Sequence, residues 1–202
     1  MTGAPPVVLA SASRSRHGLL TQAGVPLAAC EAATVDEEEV KLALRGEGAT
    51  AAQVAETLAE LKATCISRRY PGALVVGADQ MLDCEGQWFD KPQDLARAAE
   101  QLLALAGKAH RLETAVCVVC DGARLWHHNA VARLTMRPFE RGFVESYLET
   151  VGEAALSSVG AYQLEGRGVQ FFSAVQGDFF TILGLPLLPL LGFLRARGVM
   201  PE

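Results

Sequence analysis

Several features that would narrow the reading are missing from this chain. It has no excess of positive charge: the formal net charge is −5 at pH 7 over 202 residues. A sequence-independent grip on a nucleic-acid backbone needs a basic surface, so that class is excluded as the main activity, although a local basic pocket for a small anion is not. No apolar run reaches the length of a membrane span; the richest, Ile182 to Leu191, is broken by Pro186 and Pro189. The first residues lack a basic region, and Val7 to Ala10 is too short for the apolar centre of a secretory signal. The expectation is a cytoplasmic protein with no membrane role.

A disulfide framework is also missing. The five cysteines (Cys30, Cys65, Cys84, Cys117, Cys120) are odd in number and irregularly spaced, which reads as reduced thiols. Cys117-Val-Val-Cys120 matches a redox or zinc pattern, but it lies in an apolar strand-like run, where residues three apart face opposite sides. His127-His128 fails as a metal pair for the same reason. Repeats, linkers and low-complexity tracts are absent, and so is either glycine-rich phosphate-loop pattern. With half its residues hydrophobic and a fifth charged, the composition is that of an ordinary α/β protein. Residues 1–202 are expected to form a single domain with two lobes.

What is present centres on Ala73 to Pro92. The apolar run Leu74 to Val76 ends at Gly77, and a carboxylate, Asp79, follows. The first charged group after a doubly buried strand is expected where the sheet opens to solvent. The chain then turns at Glu85-Gly86 and returns as Trp88-Phe89, delivering Asp90 and Lys91. One hairpin is thereby expected to hold an acid and an ammonium at a sheet edge.

Around it, residues 7 to 12 read as a first strand, followed by a helix that ends near Gly24. Val54, Leu58, Leu61 and Cys65 recur at helical steps over 51–69, with Lys62 beside that face. Asp94 to Ala106 repeats the pattern. Residues 110–120 and 124–136 are β-rich runs joined at Asp121-Gly122-Ala123, a hairpin signal. Pro138 is expected to open a helix, Val169 to Val175 and Phe179 to Leu183 to be strands, and 186–197 to be a terminal helix. Alternating helices and strands with two hairpins predict an α/β fold with a mixed sheet rather than a purely parallel one. Phe171-Phe172, Phe179-Phe180 and the terminal helix suit a homodimer contact or core packing equally well.

Two groups of residues carry chemistry. Ser11-Ala-Ser13-Arg14-Ser15-Arg16 lies between a strand and a helix, where small hydroxyl residues and exposed N–H groups can seat a phosphate and an arginine can add a forked contact. The competing reading is an ordinary capped helix. Asp36-Glu37 alone reads as a solvated helix start; with Asp79 it becomes a Mg²⁺ set completed by substrate phosphates, or a base for water. Lys91 is the better anion clamp, Lys62 a default surface lysine, and Asp178 a turn residue.

In sum these motifs resemble the Maf family of nucleoside triphosphate pyrophosphatases over nearly the whole chain. They are Leu9-Ala10-Ser11-Ala12-Ser13 with Arg14-Ser15-Arg16, Asp36-Glu37, Lys62, Gly77-Ala78-Asp79, Lys91-Pro92, His110 with Thr114, Gly160-Ala161-Tyr162 and Gly184-Leu185-Pro186. The resemblance implies an inosine-triphosphatase-like fold with a central cleft. It also implies cleavage of a nucleoside triphosphate between the α and β phosphates, with a divalent cation, Mg²⁺ or Mn²⁺. It assigns Asp79 as proton acceptor, Glu37 and Asp79 as metal ligands, and Ser11, Ser13, Arg16, Lys62 and Lys91 as phosphate-binding groups.

Three positions tied to substrate choice depart from the branch that cleaves dTTP and UTP. Ser15 replaces an arginine, Gln80 a threonine and Glu165 a glutamine; Gln80 and Glu165 resemble the branch acting on 7-methyl-GTP. A carboxylate at Glu165 can accept from guanine N1–H and the N2 amine and favours the N7-methylated cation, whereas an amide suits a pyrimidine imide. Ser158 stands where the family has a lysine. The expectation is a preference for 7-methyl-GTP-like nucleotides. Alternatives are a dTTP/UTP pyrophosphatase, a nucleotide-binding cell-division regulator with little turnover, and a phosphomonoesterase.

Overall fold

The computed structural model describes residues 3–201. Its apolar runs form a seven-stranded mixed sheet flanked by helices. Val7–Leu9 (β1) lies parallel to Leu27–Cys30 (β2) on one side and to Leu74–Cys84 (β3) on the other, with Val8 opposite Val75. Beyond β3 come Ala109–Cys120 (β5), Ala123–Met136 (β6) and Phe172–Gln176 (β7). Gln87–Phe89 (β4) returns antiparallel on the end of β3, pairing Asp83 with Trp88. The β5–β6 turn takes positive φ at Asp121 (49°) and Gly122 (78°), the geometry that Asp-Gly turns supply. The chain divides into two compact units, and β3, β5 and β6 supply residues to both.

Among the described residues the first unit holds 3–80, 114–130 and 178–201. On one face of its sheet, Val7, Leu9, Val76, Ala78, Val116 and Val118 pack with Arg14–Gln22 (α1) and Leu187–Ala196 (α7). On the other, Val8, Ala10, Val75 and Val119 meet Ala63 and Ile66 of Ala51–Ser67 (α3). Alternate residues of β1 and β3 thus enter different cores, which is why these strands read as unbroken apolar runs. Glu37–Gly46 (α2) carries its acids in the first turn, capped by Asp36.

Helix α3 departs from the expected face. Thr50 and Gln53 close a capping box at its start, as local sequence dictates. Its buried row runs Ala55, Ala59, Ala63 beside Val54, Leu58 and Ile66, while Leu61 is 39% exposed. The alanines are needed because helix and strand nearly touch: a Cβ on Gly77 would lie 2.1 Å from the Ala59 carbonyl oxygen. Lys62, expected beside the apolar face, is itself only 8% exposed.

Four other expectations change. β3 runs five residues past Asp79, so Asp79 sits mid-strand and 6% exposed rather than at an edge open to water. Phe179–Ile182 (α6) is a single helical turn, not a strand, because Asp178 caps it. Residues 167–171 form a 3-10 turn before β7, and the helix expected at Pro138 begins at Arg141 (α5, Arg141–Val151).

The second unit holds 81–113 and 131–177. Its sheet residues Leu82, Leu112, Leu134 and Met136 are fully buried, as are Leu102 and Leu105 of Leu95–Leu105 (α4). Phe171 gathers Phe139, Phe143 and Tyr147 around it at 4.8 to 5.2 Å between ring centres. His110, 2% exposed, bonds Tyr162 through Nε2 at 2.8 Å, and among the described residues its Nδ1 has no partner. Burial therefore pulls its pKa down to about 4 and keeps the ring neutral.

Elsewhere the bland readings hold. All five cysteines are unpaired thiols, and burial pushes Cys117 up to about 11. His127 turns to Glu56 at 3.6 Å while His128 stacks on Trp126, so the two rings diverge. Among the described residues no helix is long and apolar enough to cross a membrane.

Two predictions follow from packing and burial. Gly77→Ala forces backbone apart and should cost about 3 kcal/mol in urea unfolding, near the upper end for overpacking; an unchanged midpoint would refute the close contact. His110 is protonated in the unfolded chain below its ordinary value of 6.5 but in the folded chain only near 4. Stability should therefore fall by about 3 kcal/mol as pH drops through that window. In His110→Gln the same titration should be flatter by that amount.

Candidate active site

The site is built where β1 ends. Ala10 N–H still bonds the Val76 carbonyl at 2.8 Å, after which the serine turn leaves the sheet. The Ser13 hydroxyl accepts from Arg16 N–H at 3.3 Å and so caps α1, as one of its two alternative readings required. The Ser11 hydroxyl, nearly buried, accepts from Ser13 N–H at 3.2 Å. Each oxygen is thus used as an acceptor while its O–H remains a donor. The first turn of α1 contains no acid, so its positive end is uncompensated by its own side chains.

Arg16 points from α1 back across the sheet. Its Nε donates to the Gly184 carbonyl at 2.7 Å, and Nη1 donates to the Ala78 carbonyl at 2.8 Å and to the Ser11 hydroxyl at 3.3 Å. Among the described residues Nη2 donates to nothing, so one edge of the fork stays available. Burial pulls this guanidinium's pKa down, and the nearby Asp79 and Glu37 carboxylates oppose that pull.

The ammonium bonded to Asp79 is that of Lys62. Its Nζ lies 2.5 Å from Asp79 Oδ1 and 2.8 Å from Glu37 Oε1. Asp36 positions Glu37 by accepting from Glu39 N–H at 3.0 Å and starting α2 there. The Asp79 and Lys62 side chains are about as buried as each other, whereas the Glu37 carboxylate is open to solvent. Arg16 adds a second positive charge near the two carboxylates. Asp79 Oδ2 makes no hydrogen bond among the described residues, so it is free to meet a ligand.

Gln80 turns to the opposite face from Asp79, as the next residue on a strand must. Its Nε2 donates to the Thr114 hydroxyl at 2.8 Å and to the Thr181 and Ile182 carbonyls at 2.9 and 3.3 Å. With its donor spent, only its carbonyl is left for a base.

In the first unit Ser11, Ser13 and Arg16 form one bonded group and Glu37, Lys62 and Asp79 another, and the two meet where Arg16 bonds the carbonyl of Ala78, the residue before Asp79. Ser15 and Arg14 are exposed on the first turn of α1. Lys91 and Glu165 belong to the second unit and are both exposed, Lys91 after β4 and Glu165 in the loop before the 167–171 turn. Ser158 turns inward, donating to the Tyr162 carbonyl at 2.6 Å, and closes the Gly-Ala-Tyr turn. The partners that sequence reasoning missed are main-chain carbonyls at Ala78, Thr181, Ile182 and Gly184, which no residue type announces.

Among the described residues no three His, Cys, Asp or Glu side chains converge as a metal cage. Two carboxylates, each with one oxygen on Lys62, fit a hard cation that arrives with phosphate and keeps several waters. They do not fit a preformed all-protein site.

Comparison with known proteins bears on this arrangement. Residues 6–197 match the family model described as Maf-like protein. A nucleoside triphosphate pyrophosphatase of Paramagnetospirillum magneticum is 57% identical over 95% of this chain and 98% of its own length. One from Granulibacter bethesdensis is 54% identical over 96% and 98%. A 7-methyl-GTP pyrophosphatase of Rhizobium johnstonii is 50% identical over 97% and 98%. With a family model covering nearly all of it and relatives of matching length, the chain belongs to the Maf-like protein family.

Proposed function

We propose that this protein is a nucleoside triphosphate pyrophosphatase that prefers 7-methyl-GTP-like nucleotides. The observation that carries the reading is the Asp79–Lys62–Glu37 cluster with Arg16 beside it: ionised groups of both signs at the end of a phosphate-type turn. Names of relatives at 50–57% identity support the reaction class. The exposed Glu165 carboxylate and Gln80, two of the three substrate-linked positions, support the methylated-guanine preference.

In this mechanism Arg16 Nη2, the Ser11 and Ser13 hydroxyls, Lys62 and Lys91 bind the triphosphate tail. Asp79 Oδ2 takes the proton of a water whose oxygen attacks the α-phosphorus. The bond from that phosphorus to the α–β bridging oxygen breaks, releasing the monophosphate and pyrophosphate. Glu37 and Asp79 would hold a divalent cation, Mg²⁺ or Mn²⁺, which when bound supplies charge neutralisation on the phosphates. As negative charge moves toward the departing pyrophosphate, Lys62 and Arg16 are already in place to meet it.

Removing the acceptor should stop the reaction. Asp79→Asn is expected to lower pyrophosphate release about 10³-fold, within the range for a positioned base. Negligible release by both wild type and variant would favour a nucleotide-binding regulator. Free phosphate as the product, measured without added inorganic pyrophosphatase, would favour a phosphomonoesterase. A triphosphate panel tests the base: 7-methyl-GTP should exceed dTTP and UTP in kcat/KM, and Glu165→Gln should cut that ratio by about tenfold. Faster turnover of dTTP or UTP by wild type would overturn the preference.

A further inference from the structure

The segment from Gly177 to Gly184 supplies no side chain to the chemistry described, yet it bonds Gln80, which follows Asp79, directly and reaches Ala78, which precedes it, through Arg16. Asp178 Oδ2 accepts from Thr181 N–H at 2.7 Å and from the Thr181 hydroxyl at 3.0 Å. Those bonds close α6, a helix of only four residues. Ile182 N–H bonds the Asp178 carbonyl and Leu183 N–H the Phe179 carbonyl, each at 3.2 Å, and Gly184 and Leu185 N–H close its exit on the Thr181 and Phe180 carbonyls at 3.0 and 3.1 Å. A single turn does not offset its own nucleation, and the two-armed side-chain cap adds to these backbone bonds in keeping it wound.

The wound turn fixes the direction of its carbonyls. The Thr181 and Ile182 carbonyls receive the Gln80 amide, and the Thr181 carbonyl also receives the Thr114 hydroxyl at 3.2 Å. Two residues on, the Gly184 carbonyl receives Arg16 Nε at 2.7 Å. Thr114 and Thr181 are both 2% exposed, so these bonds are shielded from water. Arg16 in turn bonds the carbonyl of Ala78, the residue before Asp79, and Gln80 is the residue after it.

We propose that Asp178 is a positioning residue: through the cap on α6 it orients Arg16 and Gln80 about Asp79. A guanidinium with three of its five N–H groups already committed presents the rest in one direction, so phosphate binding pays less ordering entropy. For catalysis the inference rests on the pyrophosphatase reading above; for phosphate binding it stands by itself. Its signature is a loss of phosphate grip, not a loss of folded protein.

The test compares wild type, Asp178→Ala and Asp178→Asn, whose amide oxygen can still accept from Thr181. Two quantities are read with Mg²⁺ present: KM for 7-methyl-GTP, and the dissociation constant of inorganic pyrophosphate by titration calorimetry. Asp178→Ala should raise both together by about tenfold, with kcat changed less, as expected when a preorganised binding group is loosened. Asp178→Asn should stay within about threefold of wild type. If Asp178→Ala does not fold, Thr181→Ala, which removes only the hydroxyl arm, should shift both constants in the same direction by a smaller factor.

A fall in kcat that tracks the folded fraction, with KM and the pyrophosphate constant unmoved, would overturn the proposal. So would Asp178→Asn as impaired as Asp178→Ala, no shift in Thr181→Ala where that variant is the one used, or a wild type that does not bind pyrophosphate. Wild type that binds pyrophosphate but turns over no triphosphate would sink the hydrolase reading instead, and the calorimetric constants would still decide the role of Asp178.

Discussion

The structure depends on one buried ammonium. Lys62 reaches Asp79 and Glu37 from a helix that lies almost in contact with the strand bearing Asp79. Taking ions out of water is costly, and a pair of this kind persists only when each charge is met by another at bonding distance. Removing either Lys62 or Asp79 would strand its partner in a dry place. Arrangements that expensive are poor candidates for stability and good ones for function, because apolar residues of similar size would hold the helix to the sheet as well.

Much of this was legible in the chain. The hairpin at Glu85-Gly86, the Asp-Gly turn and the helical steps at 95–105 all come from local chemistry that does not need the rest of the fold. Motif order supplied the gathering of the serine turn, Glu37, Lys62 and Asp79, since the residue types alone did not say which lysine would meet Asp79. The site was misread where position depended on contact. Lys62 looked like a surface group because hydrophobic periodicity picks out large side chains, and the face of α3 that meets the sheet is mostly alanine. Asp79 looked like an edge residue because a charge was taken to end the strand; with Lys62 as its partner, the strand continues.

The α6 segment shows a different limit. Phe179-Phe180-Thr181-Ile182 has strong strand composition, and four residues are too few for periodicity to overrule it. The deciding feature is Asp178 three positions ahead of Thr181, a pattern visible in the sequence but weighed only as a turn. Its importance lies in where the freed carbonyls point, and that depends on Gln80 and Arg16 arriving from strands and helices far away in the chain.

The near-contact at Gly77 reaches beyond stability. Because α3 is wedged against β3, the helix that carries Lys62 is held close against the strand that carries Asp79. A rigid cationic anchor serves bond cleavage well, since nothing must rearrange as charge shifts. It serves emptying of the site poorly, since the newly formed pyrophosphate still faces the same fixed ammonium. The solvent-exposed Glu37 end of the cluster is the side from which water reaches that ammonium, and so the side from which a bound anion is loosened.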